Sequence, residues 1–130
     1  MSVFVDQELR EITHPPITKE QLINYAHASG DKNPIHIDEE FAKNSSIGRV
    51  IAHGMISAGF LASHVDKIAK EPNRIKSYSS KFKSIVYPND TVSTVVAEES
   101  VNGEEGYLQL QAKNQHGEVV TEAEAIIEMR

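Results

Sequence analysis

The hydrophobic periodicity of this chain changes from helical to strand-like near Ser77, and this change limits the fold more than any other feature. Four strand-like segments follow, "SYSSKFKSIVY", "TVSTVVAEES", "GYLQLQAKN" and "EVVTEAEAIIEM". Turn-forming runs separate them, "PND", "NGEEG" and "QHGE". Period-two patterns joined by short turns predict a run of antiparallel strands in the second half of the chain.

Helical signals dominate the first half. After "SVFVDQELREITH", which fits either a first strand or an irregular arm ended by two prolines, "TKEQLINYAHASG" predicts a helix. Thr18 is its expected N-cap with Gln21 at the capping-box position, and Gly30 is its expected left-handed stop. Asp38 is expected to cap a brief second helix, "EEFAKNSS".

The segment "HGMISAGFLASHVDKIAKEP" predicts a longer central helix that Pro72 closes. Its apolar residues leave little polar face in the first three turns, so we expect other structure to cover it on most sides. Small residues would allow a close approach to it: Ser57, Ala58, Gly59 and Ala62. The prediction is one α+β domain over residues 1–130, with this helix buried against a curved antiparallel sheet.

Composition excludes several classes of function. The net charge is −6 and the 13 lysines and arginines are scattered, which argues against a nucleic-acid partner. The absence of cysteine excludes disulfides, thiolate metal ligands and cysteine nucleophiles. We see neither a signal peptide nor an apolar run near the roughly 18 residues that span a bilayer. We therefore expect a cytoplasmic protein with no membrane association.

The loop "GDKNPIH" permits two interpretations. Asp31 and Asn33 are turn formers and Pro34 restricts the backbone, so the loop would serve as a plain connection between helices. Alternatively, the carboxylate of Asp31 and the imidazole of His36 form a pair that holds a water and moves its proton. The residue types alone leave both interpretations open.

A second candidate is "AHGMISAG", where Gly54 opens the central helix. Its N–H, at the positive end of the helix dipole, is suited to stabilise an oxyanion, although glycine is also common at helix starts. A metal site using His36, Asp38 and His53 lacks a recurrent ligand spacing, so we predict no metal. The other histidines are expected at the surface or in packing: His14, His27, His64 and His116.

Together, "SGDKNPIHIDEEFA" and "VIAHGMISAG" resemble the MaoC-like (R)-specific enoyl-CoA hydratase family, which includes the hydratase-2 domains. The family core, Asp-x-Asn-Pro-aliphatic-His, is filled by Asp31, Asn33, Pro34, Ile35 and His36. The His-Gly-Met entry to the central helix and "SIVYPNDTV" match as well, so the resemblance covers about residues 18–95. It implies a hot-dog fold, a long helix wrapped by an antiparallel sheet, and a homodimer joined edge to edge.

The resemblance also implies a reaction, the reversible hydration of trans-2-enoyl thioesters to (R)-3-hydroxyacyl thioesters without a cofactor. Asp31 and His36 would hold the water, and the N–H of Gly54 would bind the thioester oxygen. Asn33, His53 and Met55 are expected to contact the substrate, which enters as a coenzyme A or acyl-carrier-protein thioester. The family often has serine on the central helix where this chain has Ala62, and Ser63 lies about 100° around the helix from it.

The sequence leaves two other functions open. One is a 3-hydroxyacyl-acyl-carrier-protein dehydratase, for which Lys81 and Lys83 would supply a basic rim. The other is a non-catalytic acyl-thioester-binding module, which would have no reason to keep both Asp31 and His36. The acyl chain length depends on which side chains enter the tunnel, the candidates being Leu22, Ile23, Phe41, Ile56 and Phe60.

Overall fold

The structure, a computed structural model, describes residues 4–129. In chain order its elements are β1 (Glu11–Thr13), α1 (Lys19–Ser29), α2 (Glu39–Lys43), α3 (Gly54–Ala69), β2 (Ile75–Phe82), β3 (Ser93–Asn102), β4 (Glu105–Lys113) and β5 (Val119–Glu128). Short 3-10 turns occur at Gln7–Leu9, Pro34–His36 and Pro72–Arg74. Across this part of the chain, no helix has the length and apolar character needed to cross a membrane.

The five strands form one antiparallel sheet in the order β1-β3-β4-β5-β2, and α3 packs on it. Alternate residues of the central strands are buried, among them Leu108 and Leu110 on β4 and Ala123 on β5. They share a core with Leu61 and Val65 of α3. Breaks in register within three of the strand pairings bend the sheet around the helix. The predicted hot-dog arrangement is confirmed.

Local capping signals are confirmed where they were predicted. Thr18 Oγ1 accepts a hydrogen bond from the Gln21 N–H at 3.0 Å, and Gly30 ends α1 with φ of 80°. Asp38 Oδ1 accepts from the Phe41 N–H at 3.0 Å. The second helix is shorter than predicted and stops at Lys43, because the hydroxyl of Ser45 donates back to the Ala42 carbonyl.

The sheet and the amino-terminal arm together cover most of α3, as expected, but one stripe of the helix is exposed. The sheet buries one face, while Met55, Gly59 and Ser63 lie on an exposed stripe. Because the sheet is one layer, it reaches only the residues that project toward it. Met55 is the exposed large apolar residue of this helix, with 58% of its surface exposed.

The predicted strand "SYSSKFKSIVY" ends at Phe82, and the rest of it is irregular. The N–H groups of Lys83 and Ser84 both bond to the Val120 carbonyl, so the regular ladder with β5 stops there. The chain then turns under the start of α3, where the Val86 carbonyl accepts the Ala52 N–H at 2.7 Å. This contact positions the residues that lead into α3.

The amino-terminal arm is held by Glu99 on β3. Its carboxylate accepts the backbone N–H groups of Phe4 and Val5 at 3.1 and 3.0 Å and pairs with Arg10. Only 5% of the Glu99 side chain is exposed. Burial acts to raise the pKa of this carboxyl, but the Arg10 and backbone hydrogen bonds outweigh it and leave the pKa lowered.

Candidate active site

The loop after α1 has the turn geometry expected of its residues. Asp31 Oδ1 accepts the Asn33 N–H at 3.4 Å, and Asn33 Oδ1 accepts the Ile35 N–H at 3.0 Å. Pro34 then begins the 3-10 turn that carries His36. The turn interpretation is thus correct for the backbone, yet it leaves Asp31 Oδ2 and the ring of His36 available for chemistry.

The ring of His36 is oriented by a backbone carbonyl. Its Nδ1 lies 2.8 Å from the carbonyl oxygen of Ile51, which can only accept, so Nδ1 carries the proton in the neutral ring. Nε2 is therefore left with a lone pair, 4.0 Å from Asp31 Oδ2. The His36 side chain is 12% exposed and that of Asp31 is 53% exposed.

Two acceptors at this separation suit a single water molecule. A water placed between them would donate one O–H to His36 Nε2 and the other to Asp31 Oδ2, and its own lone pairs would stay free. His36 can take the proton as the oxygen attacks an electrophile, and Asp31 fixes the direction of attack. The geometry is that of a base-activated water nucleophile.

His53 supports both members of this pair. Its Nε2 donates to the backbone carbonyl of Asp31 at 3.0 Å, and its ring stacks on His36 with centroids 3.9 Å apart. Tyr25 packs on it at 4.7 Å. His53 is 1% exposed, and its Nδ1 has no hydrogen-bond partner among the described residues.

Gly54, the first residue of α3, presents an open N–H to the same region. The Ile56 N–H bonds to the His53 carbonyl, whereas the Gly54 N–H finds no acceptor in residues 4–129. A Cβ at Gly54 would lie 3.2–3.3 Å from the ring of Phe82. Glycine here lets the ring lie close to the helix start, where the dipole favours developing negative charge.

These groups line one cavity of about 340 Å³. Asp31, His36, His53 and Gly54 form its polar part, and Met55, Phe82, Ile85 and Val86 are among its apolar residues. The sequence reasoning missed Phe82, Ile85, Ser57 and Thr121 as cavity residues. Ser57 was noted only for its size, and no local pattern brings β2 or β5 to the start of α3.

Residues 3–122 match the family of the MaoC like domain. The chain belongs to the MaoC-like domain family. Its relatives include the (R)-specific enoyl-CoA hydratase of Rhodospirillum rubrum, 32% identical over 85% of this chain and 78% of that protein. The 3-hydroxybutyryl-CoA dehydratase of Methylorubrum extorquens is 30% identical over 97% of this chain and 83% of that protein.

Some relatives of this MaoC-like domain are far longer than the chain itself. Fatty acid synthase subunit beta of Saccharomyces cerevisiae is 29% identical over 89% of this chain, which spans only 6% of that protein. Among solved structures, the R-hydratase PhaJ1 from Pseudomonas aeruginosa superposes with a TM-score of 0.76 at 26% identity, covering 91% of this chain and 77% of that one.

The other residues predicted for the site of this MaoC-like domain differ in whether they line the cavity. Met55 lines the cavity, but the side chain of Asn33 caps the 3-10 turn and Asn33 is not part of the cavity wall. Ala62 also lies outside that wall, two turns beyond Gly54. Substrate contacts by Asn33, His53 and Met55 stay predictions.

The three residues considered from the sequence as metal ligands, His36, Asp38 and His53, do not come together in the fold. Asp38 caps α2, and Asp31 takes its place beside His36 and His53, with ligand atoms within 4.8 Å of one another. The two rings are stacked with planes 28° apart. Those planes meet only far from the rings, so no ion at a Zn–N distance of about 2.0–2.1 Å lies in both. The geometry agrees with water activation better than with metal binding.

Proposed function

We propose that this MaoC-like domain catalyses the reversible hydration of trans-2-enoyl thioesters to (R)-3-hydroxyacyl thioesters. The observation that carries the proposal is the lone pair of His36 Nε2 facing Asp31 Oδ2 at 4.0 Å, with Nδ1 held by the Ile51 carbonyl. Two relatives that align over most of their length, a hydratase and a dehydratase, support the same reaction in its two directions.

The reaction follows from the three polar groups. A water held by Asp31 and His36 attacks C3 of the enoyl group and gives a proton to His36 Nε2. The C2–C3 π electrons move toward the thioester carbonyl, whose oxygen becomes enolate-like and is bound by the Gly54 N–H. The protonated His36 then returns that proton to C2 on the same face as the enolate-like carbonyl re-forms, so that H and OH from one water add across the double bond and His36 is regenerated.

The magnitudes are adequate for a lyase that needs no cofactor. General acid–base help of this kind contributes about 10²–10⁴-fold in rate, and an oxyanion donor about 10²–10³-fold. The apolar residues Met55, Phe82 and Ile85 at the cavity supply surface for an acyl chain.

The substrate carrier is proposed to be coenzyme A. A carrier-protein substrate would need a free basic rim, but Lys83 lies 4.0 Å from the Glu122 carboxylate, and Lys81 shares a surface groove with Glu122 and Glu124. These carboxylates reduce the positive potential that an acidic carrier would meet.

We further propose a homodimer that acts in the cytoplasm. In the described sheet β2 is an outer strand whose far edge has no strand partner, and an unprotected edge is a site for pairing with a second copy. Sedimentation equilibrium would test this, with twice the chain mass expected and the mass of one chain contradicting it.

The test of the activity is loss of the ultraviolet band of crotonyl-CoA on addition of the purified protein. Asp31→Asn and His36→Ala are assayed beside the wild type, and a stereospecific dehydrogenase identifies the product. We expect the (R)-product from the wild type and at least about 10²-fold slower turnover in both variants. Exposed His27 provides a matched control in His27→Ala, which should keep full activity.

The outcomes separate the competing functions. Activity confined to carrier-protein thioesters would replace the coenzyme A proposal with the dehydratase. The protein would instead be a non-catalytic binding module if it bound the thioesters but turned over neither crotonyl-CoA, longer enoyl-CoA nor carrier-protein substrates.

A further inference from the structure

Two fully buried polar atoms lie in the wall of the catalytic cavity without a protein partner. They are His53 Nδ1 and Ser57 Oγ, in residues that are 1% and 0% exposed, and both residues line the cavity with Asp31 and His36. Among the described residues, these are the two buried side-chain nitrogen or oxygen atoms that form no hydrogen bond. Leaving such an atom unsatisfied costs about 1–3 kcal/mol, so each needs a partner from outside the chain.

The two atoms have complementary hydrogen-bonding character. Because His53 Nε2 donates to the Asp31 carbonyl, Nδ1 of the neutral ring is an acceptor. Ser57 Oγ can donate as well as accept. Ser57 lies in the first turn of α3 and His53 is the N-cap of that helix, and both residues line the same cavity. One hydroxyl oxygen between them would donate to His53 and accept from Ser57.

We propose that His53 Nδ1 and Ser57 Oγ form a hydroxyl-binding subsite that holds one water inside the cavity, which makes Ser57 a positioning residue. The water fixes the ring of His53, and this ring in turn holds the Asp31 backbone and supports the stacked ring of His36. A buried water with two to four polar partners is a structural component that is costly to remove. Through this water and His53, Ser57 acts on the catalytic pair.

The subsite itself is tested on the free protein, independently of any activity. A high-resolution crystal structure should show one water within about 2.7–3.2 Å of both atoms. The ¹⁵N resonance of His53 Nδ1 should report an accepted hydrogen bond in the wild type and move toward the free-acceptor position in Ser57→Ala. A Ser57 hydroxyl bonded back to the His53 carbonyl, with Nδ1 unchanged in Ser57→Ala, would overturn the proposal.

The positioning role rests on the proposed hydratase activity and is tested by kinetics. Ser57→Ala should lower kcat about tenfold, the factor expected for one lost buried hydrogen bond, and should change KM little. Ser57→Thr keeps the hydroxyl and should restore most of kcat. Ser63→Ala, at an exposed position of the same helix, is the matched control and should leave kcat unchanged.

The outcomes keep the two proposals apart. Equal losses in Ser57→Ala and Ser57→Thr would show a packing effect and overturn the positioning role. If the wild type has no hydratase activity, the proposed function fails, while the crystal structure and the His53 resonance still decide whether the subsite exists.

Discussion

The imidazole rings of His53 and His36 are stacked with their centroids 3.9 Å apart, while the edge of His53 holds the Asp31 carbonyl at 3.0 Å. One buried side chain therefore joins the two residues proposed to hold the water. The dependence of catalysis on this arrangement can be measured by separating the stacking from the hydrogen bond.

His53→Phe keeps a flat ring against His36 but removes the N–H that bonds to Asp31. We expect kcat to fall at least about tenfold, since the bond to Asp31 is lost together with the Nδ1 acceptor proposed for the buried water. Steady-state kinetics with crotonyl-CoA measure this, and circular dichroism checks the fold. Unchanged kcat in His53→Phe would mean that the bond to Asp31 is unimportant for positioning.

Gly54 and Gly59 lie on the same helix and should respond in opposite ways to alanine. A Cβ at Gly54 would meet the Phe82 ring at 3.2–3.3 Å, whereas a Cβ at Gly59 has nothing within 4 Å. Gly54→Ala should displace Phe82 at the cavity and weaken catalysis, because the N–H proposed to bind the oxyanion and the apolar wall both shift.

Gly59→Ala is the matched control and should raise the free energy of unfolding by about 0.5–1 kcal/mol through helix propensity, with activity retained. Urea denaturation and kinetics on the two variants provide the comparison. If Gly54→Ala also kept its activity and gained stability, the close approach of Phe82 to the helix start would be unimportant for catalysis.

Acid should destabilise the fold through His64 and His14. His64 Nδ1 lies 2.7 Å from Thr94 Oγ1, and its Nε2 donates to the Leu9 carbonyl at 2.6 Å. Burial, opposed by the Leu9 bond and aided by the charge of Lys67, lowers the pKa of His64 from 6.5. Burial and then Lys67 likewise lower the pKa of His14.

A lowered folded-state pKa means that the unfolded chain binds protons first as the pH falls, which favours unfolding. The stability is fully present above pH 6.5 and is lost as the pH falls from there through the lowered folded-state values. Urea denaturation from pH 8 to pH 5 measures this slope, and His64→Gln should reduce it. A stability that is flat across that range in the wild type would contradict the assignment.

Glu99→Gln should release the amino-terminal arm. The amide keeps the shape of the side chain but loses the charge that pairs with Arg10 and strengthens the bonds from Phe4 and Val5. We expect a loss of about 1–3 kcal/mol in the free energy of unfolding, measured by urea denaturation at pH 7. Glu98→Gln, at an exposed neighbouring position, is the control and should stay within about 0.5 kcal/mol of the wild type.

At a pH below the ordinary pKa range of glutamate, the free energies of unfolding of the wild type and of Glu99→Gln should converge. The folded-state pKa of Glu99 is lowered from 4.5, so its contribution is present above that value and is lost as the pH falls through the folded-state pKa. A constant difference between wild type and Glu99→Gln down to acid pH would show that the effect is not electrostatic.

The sequence by itself determined the features that depend on near neighbours in the chain. The caps by Thr18 and Asp38 and the stop at Gly30 act over three or four residues, so their signals are local and the structure has them where predicted. The alternating segments likewise predicted the sheet, because strand periodicity is a property of each segment. The loop motif, through its resemblance to a family, placed Asp31 and His36 at the proposed site.

Only the tertiary structure decided how the site is built. Which nitrogen of His36 faces Asp31 depends on the carbonyl of Ile51, and the wall beside Gly54 depends on Phe82 from another element. The support by His53 and the unpartnered hydroxyl of Ser57 likewise depend on which side chains the fold encloses together. These contacts follow from the packing of α3 against the sheet and the loop, and no local periodicity encodes which distant residue a side chain meets.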